Sequence, residues 1–377
     1  MTARNICFPF IGDSAGGSQI ATAVLINALD RTRYVPRVIL HEPGPFADYL
    51  RKRDIEFEYQ PIPTYVGPGR GPIANLGCLA NTTPVLSRLL KQHEIAIVHP
   101  QDGRMNQTWG LPARLSGRKF IWHQHSMYAP SRLTRLAMTL ANRVICVSNF
   151  VRQSLPASIR SETLTIDNPH DTEAEPLNRD HARREVCQKL GFSPDDRIVI
   201  FLGTLTAQKR PEAFLRTAAG IHNAYGPSIR FLLFGRDRDR LQPELSRLAT
   251  ELGIHGAVHF MGFHDPVAPW MAAADLLLAP SVNEAFSRSL VEAMLSGTPV
   301  IASASGGNGE LIEDAKTGIL TPPDDASAMA AAALTLLRNP GHHDEIARSA
   351  REAALVRYSV HAYANAVMDI YDHLQSE

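Results

Sequence analysis

The sequence predicts an α/β protein made of two doubly wound, Rossmann-like domains, and three observations lead to this prediction. Short apolar runs of strand length alternate with helical segments, which is the pattern of parallel sheets covered on both faces. The pattern stops at a polar stretch near the middle of the chain and then starts again. A chain of 377 residues is also long enough for two domains that each bury their own core.

The first half contains five predicted strands with helical segments between them. A Pro- and Gly-rich segment, residues 61–77, has too many breakers for a regular element and is expected to be a loop, either a lid over an acceptor or a surface loop without a role. The strands are NICFPFI (5–11), RVIL (37–40), IAIVHP (95–100), KFIWHQH (119–125) and RVICVS (143–148).

The second half repeats this pattern after a polar connection, residues 169–195, that leads into a helix. Ligands of open parallel sheets bind beyond the carboxyl ends of the strands, so the cleft between two such domains is the expected site. The strands are RIVIFLGTL (197–205), IRFLLFG (229–235), AVHFMGF (257–263), DLLLAPS (275–281) and TPVIAS (298–303).

Composition excludes several classes of protein. Hydrophobic residues make up 44% and charged residues 20% of the chain, as in globular rather than disordered or fibrous proteins. The longest apolar helical run, 326–337, is shorter than the roughly 20 residues that a bilayer span needs, and no leader-like segment precedes the first strand. We therefore expect a cytoplasmic protein. The four cysteines form no C-x-x-C pair, so neither disulfides nor a zinc site is predicted.

Charge is distributed unevenly along the chain. Residues 1–166 carry 19 Lys and Arg against 10 Asp and Glu, whereas the remainder carries 19 against 28. The basic half favours an anionic partner, which could be a lipid headgroup, a phosphorylated acceptor or nucleic acid. Scattered, solvated arginines are the alternative explanation.

Residues Gly12 to Gly16 match the G-x-S-x-G motif of serine hydrolases, in which Ser14 would be the nucleophile. That motif normally follows several strands and an upstream oxyanion loop, and here it follows the first strand. The second interpretation is a turn in which Gly16 and Gly17 open a helix whose free N–H groups face an anion. We favour the second.

Two carboxylates flank a predicted helix start in APSVNEAFSRSLVEAMLSGTPVIAS (279–303). Glu284 follows the strand that ends at Pro280, and Glu292 lies about one turn inside a helix expected from Ser287 to Gly297. Backbone N–H groups would bind phosphate and the carboxylates would bind vicinal hydroxyls, which suits a sugar nucleotide. The alternative is a surface acid and a helix-start acid without a ligand.

This E-x7-E segment resembles the nucleotide-sugar signature of the retaining glycosyltransferase family 4, which has the GT-B fold. Other segments that resemble the family follow in the same order: VICVSNFVRQSL, TIDNPHD, IFLGTLTAQKRPEAFLRTA, VHFMGFHDPVAPWMAAADLLLAPS and GGNGELIEDAKTGIL. The resemblance implies an acceptor-binding domain at 1–168, a donor-binding domain at 169–357 including its linker, and a terminal helix at 358–377 that returns to the first domain.

The resemblance also implies roles for single residues. Glu292 would bind ribose hydroxyls, Glu284 would lie by the donor sugar, and Lys209 would offset charge on the leaving diphosphate. Positive charge and N–H donors aimed at developing charge are the largest catalytic contribution available without a metal. The main chain of Phe286, Ser287 and Arg288 would approach the pyrophosphate, and the main chain near Phe263, His264 and Asp265 would contact the base.

One departure from the family pattern concerns the phosphate site. The family usually has Arg five residues before the Lys, where this chain has Thr204. Arg288 or Arg210 is a candidate to supply the missing charge.

The first domain contributes His125, since the family places a histidine near the donor sugar at the end of such a strand. His123 lies on the same side of the strand by alternation. Asp237-Arg238-Asp239 matches the metal-binding D-x-D motif of another glycosyltransferase fold, but a solvated turn is the better interpretation. No metal and no cofactor is predicted.

We therefore expect a hexose-type sugar to move from a nucleotide diphosphate to an acceptor hydroxyl with retention, as in cell-surface polysaccharide or glycolipid assembly. The expected partners are the nucleotide sugar and a saccharide, glycolipid or other small acceptor, not nucleic acid. The basic N-terminal domain predicts peripheral contact with the inner face of the membrane. The alternatives are a catalytically weak sugar-nucleotide-binding protein and a serine hydrolase that uses Ser14.

Overall fold

The structure, a computed structural model, describes residues 3–62, 64–67, 69–175 and 177–376. The chain divides into two compact units, of which the first comprises 1–169 with 360–377 and the second 170–359. Within the described residues, every helix is too short or too polar to traverse a bilayer.

The first unit is built on a seven-stranded parallel sheet with the order β3-β2-β1-β4-β5-β6-β7. The chain therefore builds the sheet in one direction from β1, returns, and extends it from β4 in the other. The strands are β1 (Arg4–Phe10), β2 (Tyr34–Leu40), β3 (Glu58–Tyr59), β4 (Ile95–Val98), β5 (Lys119–Gln124), β6 (Arg143–Cys146) and β7 (Leu164–Thr165).

Helices cover both faces of this sheet. The first two and the C-terminal helix share an apolar core that contains Phe8 and Ile121. Phe120, the neighbour of Ile121, points to the opposite face by alternation and packs against Gly110 of the fourth helix. The helices are α1 (Gly17–Ala28), α2 (Pro45–Arg51), α3 (Pro72–Gln92), α4 (Gly103–Leu115), α5 (Arg132–Met138), α6 (Asn149–Ser154), α7 (Ala157–Arg160) and the C-terminal helix (Val360–Ser376).

The second unit has a six-stranded parallel sheet with the order β10-β9-β8-β11-β12-β13. A core cluster joins its central strands to α9 and α14. The strands are β8 (Arg197–Leu202), β9 (Ile229–Phe234), β10 (Val258–Gly262), β11 (Leu276–Ala279), β12 (Val300–Ser303) and β13 (Ile319–Thr321). The helices are α8 (Arg179–Leu190), α9 (Pro211–Tyr225), α10 (Gln242–Glu251), α11 (Ala268–Ala273), α12 (Arg288–Leu295), α13 (Asn308–Leu311), α14 (Ala326–Arg338) and α15 (Pro340–Arg357), with 3₁₀ turns at Ala207–Lys209 and His255–Ala257.

The predicted fold class is confirmed, because both units are parallel α/β sheets and all ten predicted strands are present. Three strands, β3, β7 and β13, were not predicted, since two or three residues at a sheet edge are too few to show a pattern.

The prediction of a loop over 61–77 is wrong in its second part. Helix α3 begins at Pro72 and continues to Gln92, and proline is well tolerated in the first turn of a helix because it lacks only an N–H that would be unpaired there. Within the same segment, Pro63 and Pro68 lie outside the described residues. The polar connection at 169–195 contains α8, which packs against α11 of the second unit.

Candidate functional site

Two of the predicted donor residues of the second unit lie in loops that follow neighbouring strands. β8 and β11 are adjacent in the sheet, and the strand order extends away from this pair in opposite directions. The loops at the carboxyl ends of such a pair form the switch point where α/β sheets bind ligands. The loop after β8 carries Lys209, and the loop after β11 carries Glu284.

Lys209 and Glu284 form an ion pair at the centre of this region. The Lys209 ammonium nitrogen lies 2.7 Å from a Glu284 carboxylate oxygen, and the Glu284 side chain is only 9% exposed. The aliphatic stem of Lys209 passes over Gly203, where an added Cβ would be 3.1 Å from the lysine Cδ. The pair therefore brings together a cation and a carboxylate, the two groups that the sequence predicts to contact the diphosphate and the sugar of a donor.

Backbone and amide hydrogen bonds hold the two loops in place. The Val282 N–H donates to the Gln208 carbonyl at 3.1 Å. In return, the Gln208 side-chain amide donates to the Asn283 carbonyl at 3.1 Å. The Lys209–Glu284 contact is thus fixed from the backbone as well as by its charges.

A glycine turn after β12 supports Glu284 from the other side. Gly306 has a φ of +63°, and a Cβ there would lie 2.6 Å from the backbone N and O of Glu284. The neighbouring Gly307 N–H donates to the Glu284 carbonyl at 2.7 Å. This turn belongs to the GGNGE segment, whose glycines were not among the predicted site residues, although the segment was part of the resemblance.

Helix α12 presents an N-terminus without a side-chain cap. Ser287 stands at the N-cap, but its hydroxyl contacts Ser289 at 3.2 Å and caps no backbone N–H. The Phe286 ring is buried against His170 and Tyr358. Only the main chain of Phe286 is therefore free to face a ligand, as predicted for a pyrophosphate contact.

Arg288 and Glu292 face each other along one side of α12. Their closest nitrogen and oxygen atoms are 3.8 Å apart, and the side chains are 23% and 34% exposed. Desolvation raises the pKa of the Glu292 carboxyl, Arg288 and Lys209 oppose the rise, and Asp265 adds to it. Glu292 thus shares one electrostatic environment with Lys209 and Arg288. One Arg288 guanidinium nitrogen is buried and has no hydrogen-bond partner among the described residues.

Arg210 is engaged elsewhere. It occupies the N-cap of α9 with a φ of +55°, and its guanidinium lies 3.3 Å from the Asp324 carboxylate. Thr204 lies in the loop after β8, where its backbone nitrogen would be 3.2 Å from a Cβ at Gly235. Of the two arginines proposed to replace the family's missing cation, Arg288 pairs with a predicted donor residue, Glu292, whereas Arg210 pairs with Asp324.

The segment predicted to bind the base follows β10. Phe263 is 57% exposed, and the Arg236 guanidinium lies over its ring at 4.1 Å. His264 packs against Phe234 and Trp270. Arg236 was not predicted, since nothing in the local sequence indicates that the loop after β9 meets the loop after β10.

In the first unit, the loop after β1 needs a glycine at position 12, whereas the sequence predicts a role for Gly16 and Gly17. Gly12 has a φ of +108°, and a Cβ there would lie 2.1 Å from the Glu42 carbonyl oxygen. Gly16, in contrast, has a φ of −91°, and its N–H donates to the side-chain oxygen of Gln19 at 3.1 Å. Gly17 is the first residue of α1.

In the same loop, Ser14 bonds to a neighbouring carboxylate. The Ser14 hydroxyl donates to Asp13, and Asp13 pairs with Arg104 at 2.8 Å. Among the described hydrogen bonds of Ser14, none involves a histidine. This arrangement does not favour the serine hydrolase alternative.

His125 lies at the carboxyl end of β5, next to a row of buried polar groups. Its Nε2 is 2.7 Å from the Gln101 side-chain oxygen, and its ring stacks on His123 with centroids 4.2 Å apart. His123 lies 3.3 Å from His99, whose other nitrogen is 2.7 Å from the Tyr371 hydroxyl. Burial lowers the pKa of His99 to about 3, with a smaller contribution from His125.

The D-x-D segment forms a turn, as expected. The Asp237 carboxylate accepts the N–H groups of Leu241 and Gln242. In the described part of the chain, no cluster of three His, Cys, Asp or Glu side chains has a metal-binding arrangement.

Comparison with protein-family models gives a match in each half of the chain. Residues 15–174 match Glycosyltransferase Family 4, and residues 196–339 match Glycosyl transferases group 1. A D-inositol 3-phosphate glycosyltransferase from Nocardioides sp. is 32% identical over 217 residues, 54% of this chain and 46% of that protein. Its counterpart from Mycobacterium tuberculosis is 37% identical over 161 residues, 41% of this chain and 32% of that protein. The matched segments thus span less than half the length of these relatives.

Solved structures resemble this chain over nearly its whole length. Anabaena Alr3699/HepE in complex with UDP-glucose has a TM-score of 0.82 at 24% identity, covering 98% of this chain and 99% of that one. A glycosyltransferase from Rickettsia africae has a TM-score of 0.86 at 18% identity, covering 100% and 99%. At these identities the likeness concerns the fold, which is GT-B. Between them, the family matches at residues 15–174 and 196–339 show that this chain belongs to glycosyltransferase family 4.

Proposed function

We propose that this protein transfers a hexose-type sugar from a nucleotide diphosphate donor to an acceptor hydroxyl, with retention of the anomeric configuration. The observation that carries the proposal is the cluster of Lys209, Glu284, Arg288 and Glu292 beside the uncapped start of α12. Its charges and N–H groups are those that a sugar nucleotide needs, and the family membership supports the same reaction class.

The four side chains divide the donor between them. Lys209 and Arg288 stabilise the diphosphate as the bond to the sugar breaks, and the N–H groups at the start of α12 donate to its oxygens. Glu292 accepts hydrogen bonds from the ribose hydroxyls. Glu284, buried and held from three sides, accepts from hydroxyls of the transferred sugar.

The ion pair of Lys209 and Glu284 also affects how the donor would bind. In the structure they neutralise each other at 2.7 Å. A bound diphosphate would draw the ammonium group toward itself and leave Glu284 to accept sugar hydroxyls. A donor that lacks the sugar would leave the buried carboxylate without a partner, which favours the sugar nucleotide over the free nucleotide.

In this proposal, the first unit binds the acceptor and makes further contacts with the donor. His125 contacts the donor sugar, and the N–H groups that follow Gly16 and Gly17 contact the donor diphosphate or the acceptor. These assignments, like the cytoplasmic location, rest on the sequence and on the family resemblance. The acceptor is proposed to be a saccharide or a glycolipid of the cell surface.

The test is a panel of UDP-, GDP-, ADP- and TDP-sugars, scored by thermal shift and by slow donor hydrolysis. UDP-glucose is the first probe, because the Anabaena protein of the same fold was solved with it. Glu292→Ala is the control and should abolish the response. No response of the wild-type protein to any donor would overturn the proposal.

Two further measurements test its finer parts. The anomeric configuration of the product, read by NMR, should match that of the donor. Turnover should survive EDTA, since Lys209 and Arg288 are proposed to carry the charge that a metal would otherwise neutralise. Donor binding without turnover on any acceptor would favour the alternative of a sugar-nucleotide-binding protein. That alternative arises because Thr204 stands where the family usually has an arginine.

A further inference from the structure

A row of polar side chains inside the first unit connects the C-terminal helix to the carboxyl edge of the sheet. The Tyr371 hydroxyl lies 2.7 Å from Nδ1 of His99, and Nε2 of His99 lies 3.3 Å from Nδ1 of His123. The His123 ring stacks on the His125 ring, and the Gln101 side-chain oxygen lies 2.7 Å from Nε2 of His125. The polar row therefore includes the histidine that is proposed to contact the donor sugar.

The polar row is buried, which is unusual for side chains of this kind. Tyr371, His99 and His123 are fully buried, and Gln101 is 1% exposed. Burying a polar group costs free energy unless the group is hydrogen-bonded. Elsewhere the C-terminal helix packs through apolar side chains such as Leu374, in the core that it shares with α1. An apolar residue at position 371 would satisfy that packing, so the hydroxyl indicates a role beyond it.

The hydrogens of the polar row can be placed because its two inner rings are neutral. Burial lowers the pKa of His99 to about 3 and that of His123 well below its usual value. A neutral ring has one N–H donor and one acceptor nitrogen. If His99 donated to the Tyr371 oxygen, the buried hydroxyl hydrogen would have no acceptor among the described hydrogen bonds. Tyr371 therefore donates to Nδ1 of His99, and the Nε2–H of His99 donates to His123.

Gln101 places the hydrogen of His125 in the same way. The amide oxygen of Gln101 only accepts, so Nε2 of His125 carries the hydrogen, and Nδ1 is the acceptor of the neutral ring. The backbone beneath is fixed as well, because the Asn106 side chain donates to the His123 carbonyl at 3.0 Å. A hydrogen bond at its edge and a stack on its face thus act together on the His125 ring.

We propose that Gln101 and Tyr371 are positioning residues for His125. Gln101 holds the His125 ring in the Nε2–H tautomer, and Tyr371 holds the two rings behind it through hydrogen bonds. The C-terminal helix thereby contributes to the donor-sugar site through other side chains. A ring held in one orientation and one tautomer loses little freedom when the sugar binds, which strengthens the contact. The inference rests on the proposed function, since it concerns the contact of His125 with the donor sugar.

The first test reads the tautomer of His125 in the full chain labelled with ¹⁵N-histidine. Long-range ¹H–¹⁵N spectra distinguish the two tautomers, and the His125 signals are those that disappear in His125→Gln. We expect the Nε2–H form in the wild-type protein. Gln101→Met removes the acceptor and should give a mixture of tautomers, whereas Gln101→Glu keeps an acceptor oxygen and should restore the Nε2–H form. Gln107→Met is the matched control, because the Gln107 amide donates to the Gly103 carbonyl of its own helix.

The second test compares binding of UDP-glucose, or of whichever donor of the panel binds, with binding of the free nucleotide. His125 is proposed to contact only the sugar. Gln101→Met should therefore weaken binding of the sugar nucleotide by about tenfold and change binding of the nucleotide by less than about twofold. A merely structural role of Gln101 would weaken both.

Tyr371→Phe tests the far end of the polar row. It should shift the ring signals of His99 and His125 and weaken binding of the sugar nucleotide by about threefold, because it removes one buried hydrogen bond. Tyr363→Phe is the matched control and should do neither. Tyr363 lies on the same helix and is also buried, but its hydroxyl has no hydrogen-bond partner in the described part of the chain.

Several results would overturn the proposal. These are an Nδ1–H tautomer of His125 in the wild-type protein, an unchanged tautomer in Gln101→Met, and equal effects of Tyr371→Phe and Tyr363→Phe. An equal loss of nucleotide and sugar-nucleotide binding in Gln101→Met would do the same, with melting temperatures showing that the variants are folded. If no donor binds to the wild-type protein, the proposed function fails, and the tautomers of the variants still decide whether Gln101 and Tyr371 position His125.

Discussion

Replacement of Arg288 by alanine tests whether this arginine supplies the positive charge that the family has at the position of Thr204. Arg288 lies beside Glu292 and shares its environment with Lys209, and one of its guanidinium nitrogens is buried with no hydrogen-bond partner in the described part of the chain. Arg210, the other candidate, already pairs with Asp324 at 3.3 Å. We therefore expect Arg288→Ala to impair donor turnover far more than Arg210→Ala.

The size of the effect follows from the geometry. Two unit charges about 4 Å apart interact by about 4 kcal/mol at an effective dielectric constant of 20. The Arg288 side chain is 23% exposed, so solvent screens part of this energy. Removing one aimed donor typically costs about 100- to 1000-fold in kcat, and screening favours the lower end, about 100-fold or 2.7 kcal/mol. Arg210 is more exposed than Arg288 and already paired, so Arg210→Ala should lower kcat by less than about fivefold.

The assay is the release of nucleotide from UDP-glucose, or from whichever donor of the panel binds, measured as kcat and KM. The loss in Arg288→Ala should appear in kcat, because the charge that it stabilises grows as the sugar leaves. Arg288→Lys should recover most of the loss, and melting temperatures should show that all variants are folded. Equal, mild losses in Arg288→Ala and Arg210→Ala would refute the reasoning.

Three further predictions concern stability. Glu292→Gln should raise the melting temperature at pH 7 and weaken donor binding. The pKa of the Glu292 carboxyl is raised in the folded protein, so the ionised carboxylate destabilises the fold above that pKa. A lower melting temperature of the variant would contradict this. Gly306→Ala should lower the free energy of unfolding in urea by more than about 1 kcal/mol and, by displacing Glu284, remove the thermal shift that the donor causes. Gly309→Ala should do neither, because a Cβ at this position would meet no described atom within 4 Å. The native pKa of His99, about 3, lies below its unfolded value near 6.5, so stability should fall as pH decreases below about 6.5, by about 2 kcal/mol at pH 5. Unfolding at pH 7 and pH 5 should show a smaller pH dependence in His99→Gln, and an unchanged one would contradict the assignment.

The fold could be predicted because its signals are local. Each long strand is a continuous apolar run, and each unit repeats the strand–helix alternation, so the parallel sheets follow from the pattern. The errors occurred where the local signal was ambiguous. Proline at position 72 indicated a break, yet proline is compatible with the first turn of a helix, and the edge strands were too short to show any period.

The candidate site was predictable to a similar extent and for the same reason. Glu284 and Glu292 lie on one short segment around a helix start, so their relation to each other was visible in the sequence. The contact of Arg236 with Phe263 and the support of Glu284 by Gly306 join loops that are far apart in the chain. Such contacts depend on which strands are neighbours, and no local pattern encodes that.

The ion pair of Lys209 and Glu284 illustrates how strand order creates the chemistry. The two residues are distant in sequence, and they meet because β11 returns to lie beside β8 after the chain has built β9 and β10 on the other side. Each residue alone would be an ordinary surface charge. At the switch point, two flanking loops and the glycine turn after β12 hold the backbone of Glu284, and its carboxylate pairs with the lysine. A ligand that offers phosphate to the lysine and hydroxyls to the carboxylate can replace this pair without leaving either charge unpaired, whereas a ligand with only one of these groups cannot. Under the proposed function, selectivity for a sugar nucleotide would thus follow from the pairing itself, before any contact with the base is considered.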